Sequence, residues 1–346
     1  MVKVEYICNM EHFIKNIQIK NFKSINDLKI DGLKRINLFV GKPNVGKSNI
    51  LEAFGLFSLP FLKLQASSKR NLSSFIRANS LNELFFNGNI EKDIIIKSSV
   101  GEIVANTKNK LFDNYEQSEL EIKLSLKNSD TSITINNDLK VDLTGNDVNT
   151  NPIKYYLFKE HKSSKKIKLP FLLPPFGDNL MSTIENKLKL KNEIYDLFSE
   201  YGLKLVFDKA SEEMKIMRDS NTKEVFLIPF SSIADTLQRV IFYKTAIASN
   251  VNSTLVFEEP EAHAFPPYIV HITNEIVDSI SNQFVLSTHS PYILNFFLDN
   301  AIEDLAIFMV DFKNGETVIN HLSYDDMVDI QKYGIDLFTN YETFLK

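Results

Sequence analysis

The stretch FVGKPNVGKSN, Phe39 to Asn49, decides how the chain is read. It fits the pattern G-x-x-x-x-G-K-S, with Gly41, Gly46, Lys47 and Ser48 at the fixed positions. The apolar run INLFV precedes it, and SNILEAFGLFSLPFLKL comes after it with apolar residues at helical spacing. A buried strand therefore feeds a glycine-containing loop that opens a helix, the context in which such a loop cradles phosphate. The loop residues Gly41, Lys42, Pro43, Asn44, Val45, Gly46 and Asn49 would surround a β-phosphate, largely through backbone N–H groups. Lys47 would bridge β- and γ-phosphates, and Ser48 would ligate Mg2+.

The loop alone does not choose the base, because PNVGKS suits GTP and ATP equally. A GTPase also needs D-x-x-G and N-K-x-D, whose aspartate accepts from guanine. DLTG, Asp142 to Gly145, sits in a strand-rich region far from Lys47, and NKLFD, Asn109 to Asp113, has one residue too many. Neither serves. The acids that fit lie in TLVFEEPEAH, where the run Leu255 to Phe257 delivers Glu258 and Glu259 to a strand end. That is the edge at which a doubly wound sheet places its ligands. Glu258 would complete the Mg2+ shell with Ser48, and Glu259 would orient and deprotonate an attacking water. FVLSTHSPYIL offers a third strand end, where His289 could donate to a γ-phosphate and sense its loss.

Composition bounds the rest. The chain has 346 residues, 44% hydrophobic and 24% charged, which suits one large or two ordinary globular domains. Thirty-nine basic residues against 44 acidic ones give a formal charge of -5, so contact with DNA or RNA would have to be local. The basic segment KEHKSSKKIK, with Lys159, Lys162, Lys165, Lys166 and Lys168, reads first as a solvated loop and second as a phosphate track, since no aromatics interleave it. A single cysteine, Cys8, permits no internal disulfide and no thiolate metal cluster. His263 and His271 lack metal-ligand spacing. No run approaches the length of a membrane span, so the expectation is a cytoplasmic protein with no membrane part.

Along the chain, short alternating runs from Ile94 to Val141 predict antiparallel strands, and Met181 to Tyr201 an amphipathic helix. The α/β texture returns after Val225, with a helix in SSIADTLQRVIFYKTAIASN and another started by Pro266 and Pro267. Asn314-Gly315 between two apolar runs predicts a hairpin. The expected division is 12–84 as the N-terminal part of the core, 85–224 as a strand-rich lobe and helical insertion, and 225–346 as the C-terminal part.

Taken in order, GKPNVGKSN, SSIADTLQR, LVFEEPEAH and VLSTHSPYIL resemble the ABC-type ATPase family of SMC, RecF and OLD-like proteins. IKNFKSI, Ile19 to Ile25, resembles their openings. The resemblance implies an α/β fold, an ABC-type P-loop ATPase head with a strand-rich lobe and a mixed insertion splitting the nucleotide core. It makes Gly46, Lys47 and Ser48 the Walker A residues, Glu258 and Glu259 the Walker B pair, and His289 the switch histidine. It further implies Mg-ATP as substrate and a homodimer, or higher homo-oligomer, closed around it. Ser231 to Arg239, with Ser232 and Asp235, would then cap the nucleotide of a second subunit. Two departures accompany this. Glu258 stands where the family has aspartate, and Ala234 and Thr236 replace a small polar residue and glycine, which keeps backbone further from phosphate. Slow or conditional turnover is the consequence.

The family's roles make a bacterial defence ATPase with a separately encoded effector, a nuclease or toxin, the expected function. OLD-like relatives carry a nuclease after the ATPase, whereas Ser290 to Lys346 is too short for another catalytic domain of ordinary size. A RecF-like DNA repair ATPase and a nucleotide-binding scaffold with little turnover are the alternatives.

Overall fold

The computed structural model describes residues 13–65, 70–112, 115–127, 129–144, 151–159, 167–211, 213–218 and 225–345. Cys8, Asp113, Gly145 and three of the lysines considered above, Lys162, Lys165 and Lys166, lie outside the described residues. Along the chain, β1 (Asn16–Phe22) and β2 (Ile25–Asp31) lead into β3 (Ile36–Val40), the glycine loop and α1 (Lys47–Leu56). Then come β4 (Ile94–Ser98), β5 (Gly101–Phe112), β6 (Tyr115–Leu126), β7 (Ser129–Ile135), β8 (Val141–Thr144) and the short β9 (Ile153–Tyr156). Next are α2 (Leu180–Glu185), α3 (Leu188–Ser199), β10 (Leu203–Asp208), β11 (Glu213–Arg218), β12 (Leu227–Pro229) and α4 (Asp235–Ser249). The chain finishes with β13 (Thr254–Glu258), α5 (Pro266–Asp278), β14 (Gln283–Thr288), α6 (Pro291–Ala301), β15 (Leu305–Lys313), β16 (Glu316–His321) and α7 (Tyr324–Tyr333).

Two compact units result. One takes the chain through Tyr155 together with Asn252–Glu259 and Ile280 onward, and the other takes Tyr156–Val251 and Pro260–Ser279. In the first, a six-stranded sheet runs in the order β16-β15-β3-β14-β13-β9. β15, β3, β14 and β13 are parallel neighbours. Their sequences are near-continuous apolar runs because both faces are covered: every residue of β3 and β14 is buried. Register aligns Glu258 with Ser287, Ser287 with Phe39, and Thr288 with Val40, so the strand ends finish level. The second sheet of this unit is antiparallel, in the order β2-β1-β4-β5-β6-β7-β8, and accounts for the alternating texture read from Ile94 to Val141.

At the opposite end of β14, the buried Gln283 side chain satisfies every bond its amide can make, with two carbonyls, one backbone N–H and one hydroxyl. Its Oε1 accepts from Ile14 N–H and Thr254 Oγ1, each at 2.9 Å, and its Nε2 donates to the Ile14 and Lys34 carbonyls at 2.8 and 2.9 Å. It ties the start of β14 to the chain that enters β1. The hairpin between β15 and β16 turns at Asn314 and Gly315, with φ of 54° and 85°, the double left-handed turn that matches strand twist.

The second unit packs α4 against α5, and carries the three-stranded antiparallel sheet β10-β11-β12. Lys244 on α4 donates to Glu193 on α3 at 2.8 Å and also to Glu275 on α5, linking three helices. Tyr156 donates to the Leu172 carbonyl at 2.6 Å beneath Phe242.

Two helices differ from the sequence expectation. α1 stops at Leu56 and the chain continues as a 3-10 turn, Leu59–Leu64, because Pro60 cannot supply the N–H of a continuing α-helix. The helix expected over Met181 to Tyr201 is two helices, broken where Asn186 closes α2 and Lys187 takes extended backbone before α3.

Gln283→Ala should lower the unfolding free energy by roughly 1–3 kcal/mol, since it orphans buried backbone groups of Ile14 and Lys34. Chemical denaturation of wild type and variant measures this, and a change under a few tenths would show that those groups find other partners.

Candidate functional site

The level ends of β3, β13 and β14 bring together residues from three distant stretches. Gly41 follows β3, and its backbone is pressed so closely by neighbours that a Cβ there would come 2.3 Å from the Val310 carbonyl. Tyr341 donates its hydroxyl to that same carbonyl, and burial pushes the phenol up to about 12. Lys42 points away from the loop's interior, to Glu342 at 3.2 Å and over the Tyr341 ring. Asn44 and Gly46 both adopt left-handed backbone, with φ of 63° and 103°. At Gly46 a Cβ would sit 2.0 Å from Thr317 Oγ1, so only glycine fits. That hydroxyl donates to the Val45 carbonyl at 3.0 Å and meets Ser24 Oγ at 2.6 Å, and Asn49 donates to Ser24 in turn. The loop is thus braced from β16 and from the β1–β2 turn.

Lys47 is buried, its ammonium donating to the carbonyls of Gly41 and Lys42 at 2.8 Å each. Burial pushes it down to about 8, against the opposing pull of Glu259 and Glu258. Ser48 donates to Glu258 Oε1. The same carboxylate accepts from Arg77 Nη2 at 2.9 Å and from the Tyr155 hydroxyl at 3.4 Å, and Arg77 Nη1 also reaches Ser48 Oγ at 3.0 Å. A hydroxyl and a carboxylate in contact are hard oxygen donors, and a guanidinium resting on both shows that the spot favours a cation. This donor set suits Mg2+.

Glu259 takes left-handed backbone, φ 41°, unusual for a residue with a side chain, and its N–H donates to the Ser287 carbonyl at 3.1 Å. The turn aims its carboxylate at His289, with Nε2 to Oε1 at 3.3 Å. Burial, then Lys47, lowers the His289 pKa below its ordinary value, with Glu259 opposing, so the ring is neutral at neutral pH. Lys47, Ser48, Glu258, Glu259 and His289 therefore lie together at one edge of the sheet.

Ser232 and Asp235 belong to the second unit. Ser232 ends a 3-10 turn, and Asp235 is the first residue of α4, paired with Arg239 at 2.7 Å. Thr236 donates to the His263 carbonyl at 2.9 Å. Lys159 stands 4.0 Å over the Phe176 ring. Sequence reasoning missed Arg77, Tyr155, Ser24 and Thr317. Arg77 lies in NLSSFIRANSLNEL, which has no motif spacing, and Thr317 looks like any strand threonine.

A central parallel strand feeding a glycine loop, with paired acids on one neighbouring strand and a histidine after another, defines the head of an ABC-type P-loop ATPase fold. The family model described as AAA domain, putative AbiEii toxin, Type IV TA system matches residues 36–295, and the chain belongs to that family. It is similar to the Septu protein PtuA of Bacillus mycoides, 23% identical over 84% of this chain and 40% of the relative. It is also similar to the DNA replication and repair protein RecF of Lactococcus lactis subsp. cremoris, 35% identical over 23% of this chain and 21% of that protein. In these and the other curated relatives it matches, the chain spans less than half of the relative's length. Among solved structures, the Smc head domain of Pyrococcus furiosus, crystallised with the C-terminal domain of ScpA, superposes with a TM-score of 0.51. It is 14% identical over 93% of this chain and 99% of that one. No helix among the described residues is long and apolar enough to cross a membrane.

Gly46→Ala should cost roughly 1–3 kcal/mol of stability through its left-handed backbone and the Thr317 contact. Adding Thr317→Ala should recover only part of it, because the backbone strain persists; thermal denaturation of the single and double variants tests this.

Proposed function

We propose that this protein binds and hydrolyses Mg-ATP at the site formed by Lys47, Ser48, Glu258, Glu259 and His289. The observation that carries the reading is the pairing of Ser48 with Glu258 and of Glu259 with His289 beside one buried lysine. Mg2+, held by Ser48 and Glu258, would supply charge neutralisation at the phosphates. The loop from Gly41 to Asn49 presents backbone N–H groups to phosphate, and Lys47 turns its ammonium from its own loop carbonyls to the β- and γ-oxygens. Glu259 accepts the proton of the attacking water, and the neutral His289 ring, which has a single N–H, turns it from that carboxylate to the γ-phosphate when nucleotide is bound.

Ser232 and Asp235, at the start of α4, would meet nucleotide held by a second copy, so that ATP closes a homodimer. That closure would be conditional: Thr236 and Asp235 already have partners within their own unit. We further propose that the closed state regulates a separate effector, a toxin or nuclease, in bacterial defence; the family description and the likeness to a Septu protein support this. The single cysteine, Cys8, suits a reducing, cytoplasmic setting.

Lys47→Ala and Glu259→Gln should each lower ATP turnover by about a hundredfold or more, Glu259→Gln while retaining nucleotide. Turnover in wild type no greater than in Glu259→Gln would convert the reading to a nucleotide-binding scaffold. Stimulation by DNA would favour the RecF-like role over the effector role, and preference for GTP would overturn the ATPase assignment.

The buried lysine also fixes a pH dependence. Below about pH 8 Lys47 is already charged and meets phosphate without taking up a proton; above it, binding must recruit one. ATP affinity, measured by titration with a fluorescent analogue, should fall as pH rises through about 8, and Lys47→Met should flatten that fall.

A further inference from the structure

The loop that carries Arg77 is held by its backbone rather than by its side chain. Glu52, buried on α1, accepts from the Arg77 N–H at 3.0 Å, and Lys23 donates to the Arg77 carbonyl at 2.7 Å. Lys23 and Glu52 also form an ion pair whose side chains are almost wholly covered. Both backbone groups of one residue are therefore gripped by one buried pair that spans the β1–β2 turn and α1. The guanidinium leaves this anchor into solvent, 70% exposed, and turns back onto Ser48 Oγ and Glu258 Oε1. Those are the two oxygens that the proposed function gives to the metal.

We propose that Arg77 is a displaceable cation at the metal position. Its guanidinium and Mg2+ compete for the same carboxylate and hydroxyl, so the metal enters by exchange and Arg77 sets the concentration at which the site loads. A divalent ion concentrates its charge on both oxygens at closer range and wins the exchange when phosphate oxygens add to its ligands. Without a nucleotide to add ligands, the arginine keeps the acid neutralised. The exposure of the side chain makes the exchange easy, because the departing guanidinium returns to water rather than to a dry interior. The anchor stays in place while the side chain leaves, since Lys23 and Glu52 hold only main-chain atoms.

This inference rests on the Mg-ATP reading of the site, and its test separates the two. Mn2+ binding to the protein with a non-hydrolysable ATP analogue, followed by electron paramagnetic resonance, reads metal affinity without turnover. Arg77→Ala should bind Mn2+ about two- to fivefold more tightly than wild type, the range that an exposed ion pair supports. Arg77→Lys, which keeps the charge but loses the planar two-armed guanidinium that fits Ser48 and Glu258 together, should fall between them. Glu258→Gln should weaken Mn2+ in both the wild-type and Arg77→Ala backgrounds and erase the difference between them. Equal or weaker Mn2+ binding by Arg77→Ala, in a variant whose melting temperature matches wild type, would overturn the exchange and leave the nucleotide site standing. Saturable analogue binding with no Mn2+ at Glu258 in any variant would overturn the metal site and this inference together.

Discussion

The parallel register of β3, β14 and β13 is the constraint on which the site depends. Phe39, Ser287 and Glu258 stand side by side across three strands, so the chain leaves the sheet at three neighbouring points on one edge. Each exit leads to a different feature: a glycine loop after β3, a left-handed Glu259 after β13, and His289 after β14. A slip of one residue in either pairing would turn Glu258 or Ser287 to the other face of the sheet. The close packing on both faces of these strands prevents that, because the slip would also move every buried side chain into a space shaped for a different one. Function here is a by-product of how strictly the hydrophobic register is set.

Charge inside that edge is balanced locally. Lys47 is a covered cation close to Glu258 and Glu259, and Arg77 adds a second, exposed cation to Glu258. The lysine is held by the carbonyls of its own loop rather than by a carboxylate, which explains why burial outweighs its acidic neighbours and leaves it near pH 8. Glu259 and His289 pair differently, through one contact at the surface of the site, with the ring kept neutral by burial and by Lys47.

Much of this was legible in the sequence because the residues concerned are specified by local chemistry. Gly41, Gly46, Lys47 and Ser48 sit at fixed spacing, and the acids and histidine each follow a run that can only be a buried strand. The bracing was not legible. Thr317 matters because its hydroxyl fills the space that a Cβ at Gly46 would need, and Ser24 because it meets that hydroxyl, a contact spanning almost the whole chain. Arg77 escaped for a related reason: its position is set by main-chain bonds to Glu52 and Lys23, and main-chain bonds leave no residue preference to read. Helix ends were also hidden where a single Pro60 or Asn186 changed the course of an otherwise periodic run. Chain order likewise gives no sign that Pro260–Ser279, between two strands of the parallel sheet, folds with Tyr156–Val251.

Glu258 shows how a departure from a family pattern is absorbed. A glutamate carries one more methylene than an aspartate, and the extra reach must go somewhere. Here one oxygen rests on the Ser48 hydroxyl and the Arg77 guanidinium while the other faces the Tyr155 hydroxyl, so the longer side chain is held at both ends of its carboxylate. Tyr155 is itself fixed by its N–H donating to Ser58 and by an edge-on contact with Phe75, two residues before Arg77. The substitution thus comes with its own supports, drawn from α1's C-terminal side and from the segment that carries the arginine. The length of the acid and the presence of a cation opposite it are one arrangement, and a shorter acid at this position would give up contacts on both sides at once.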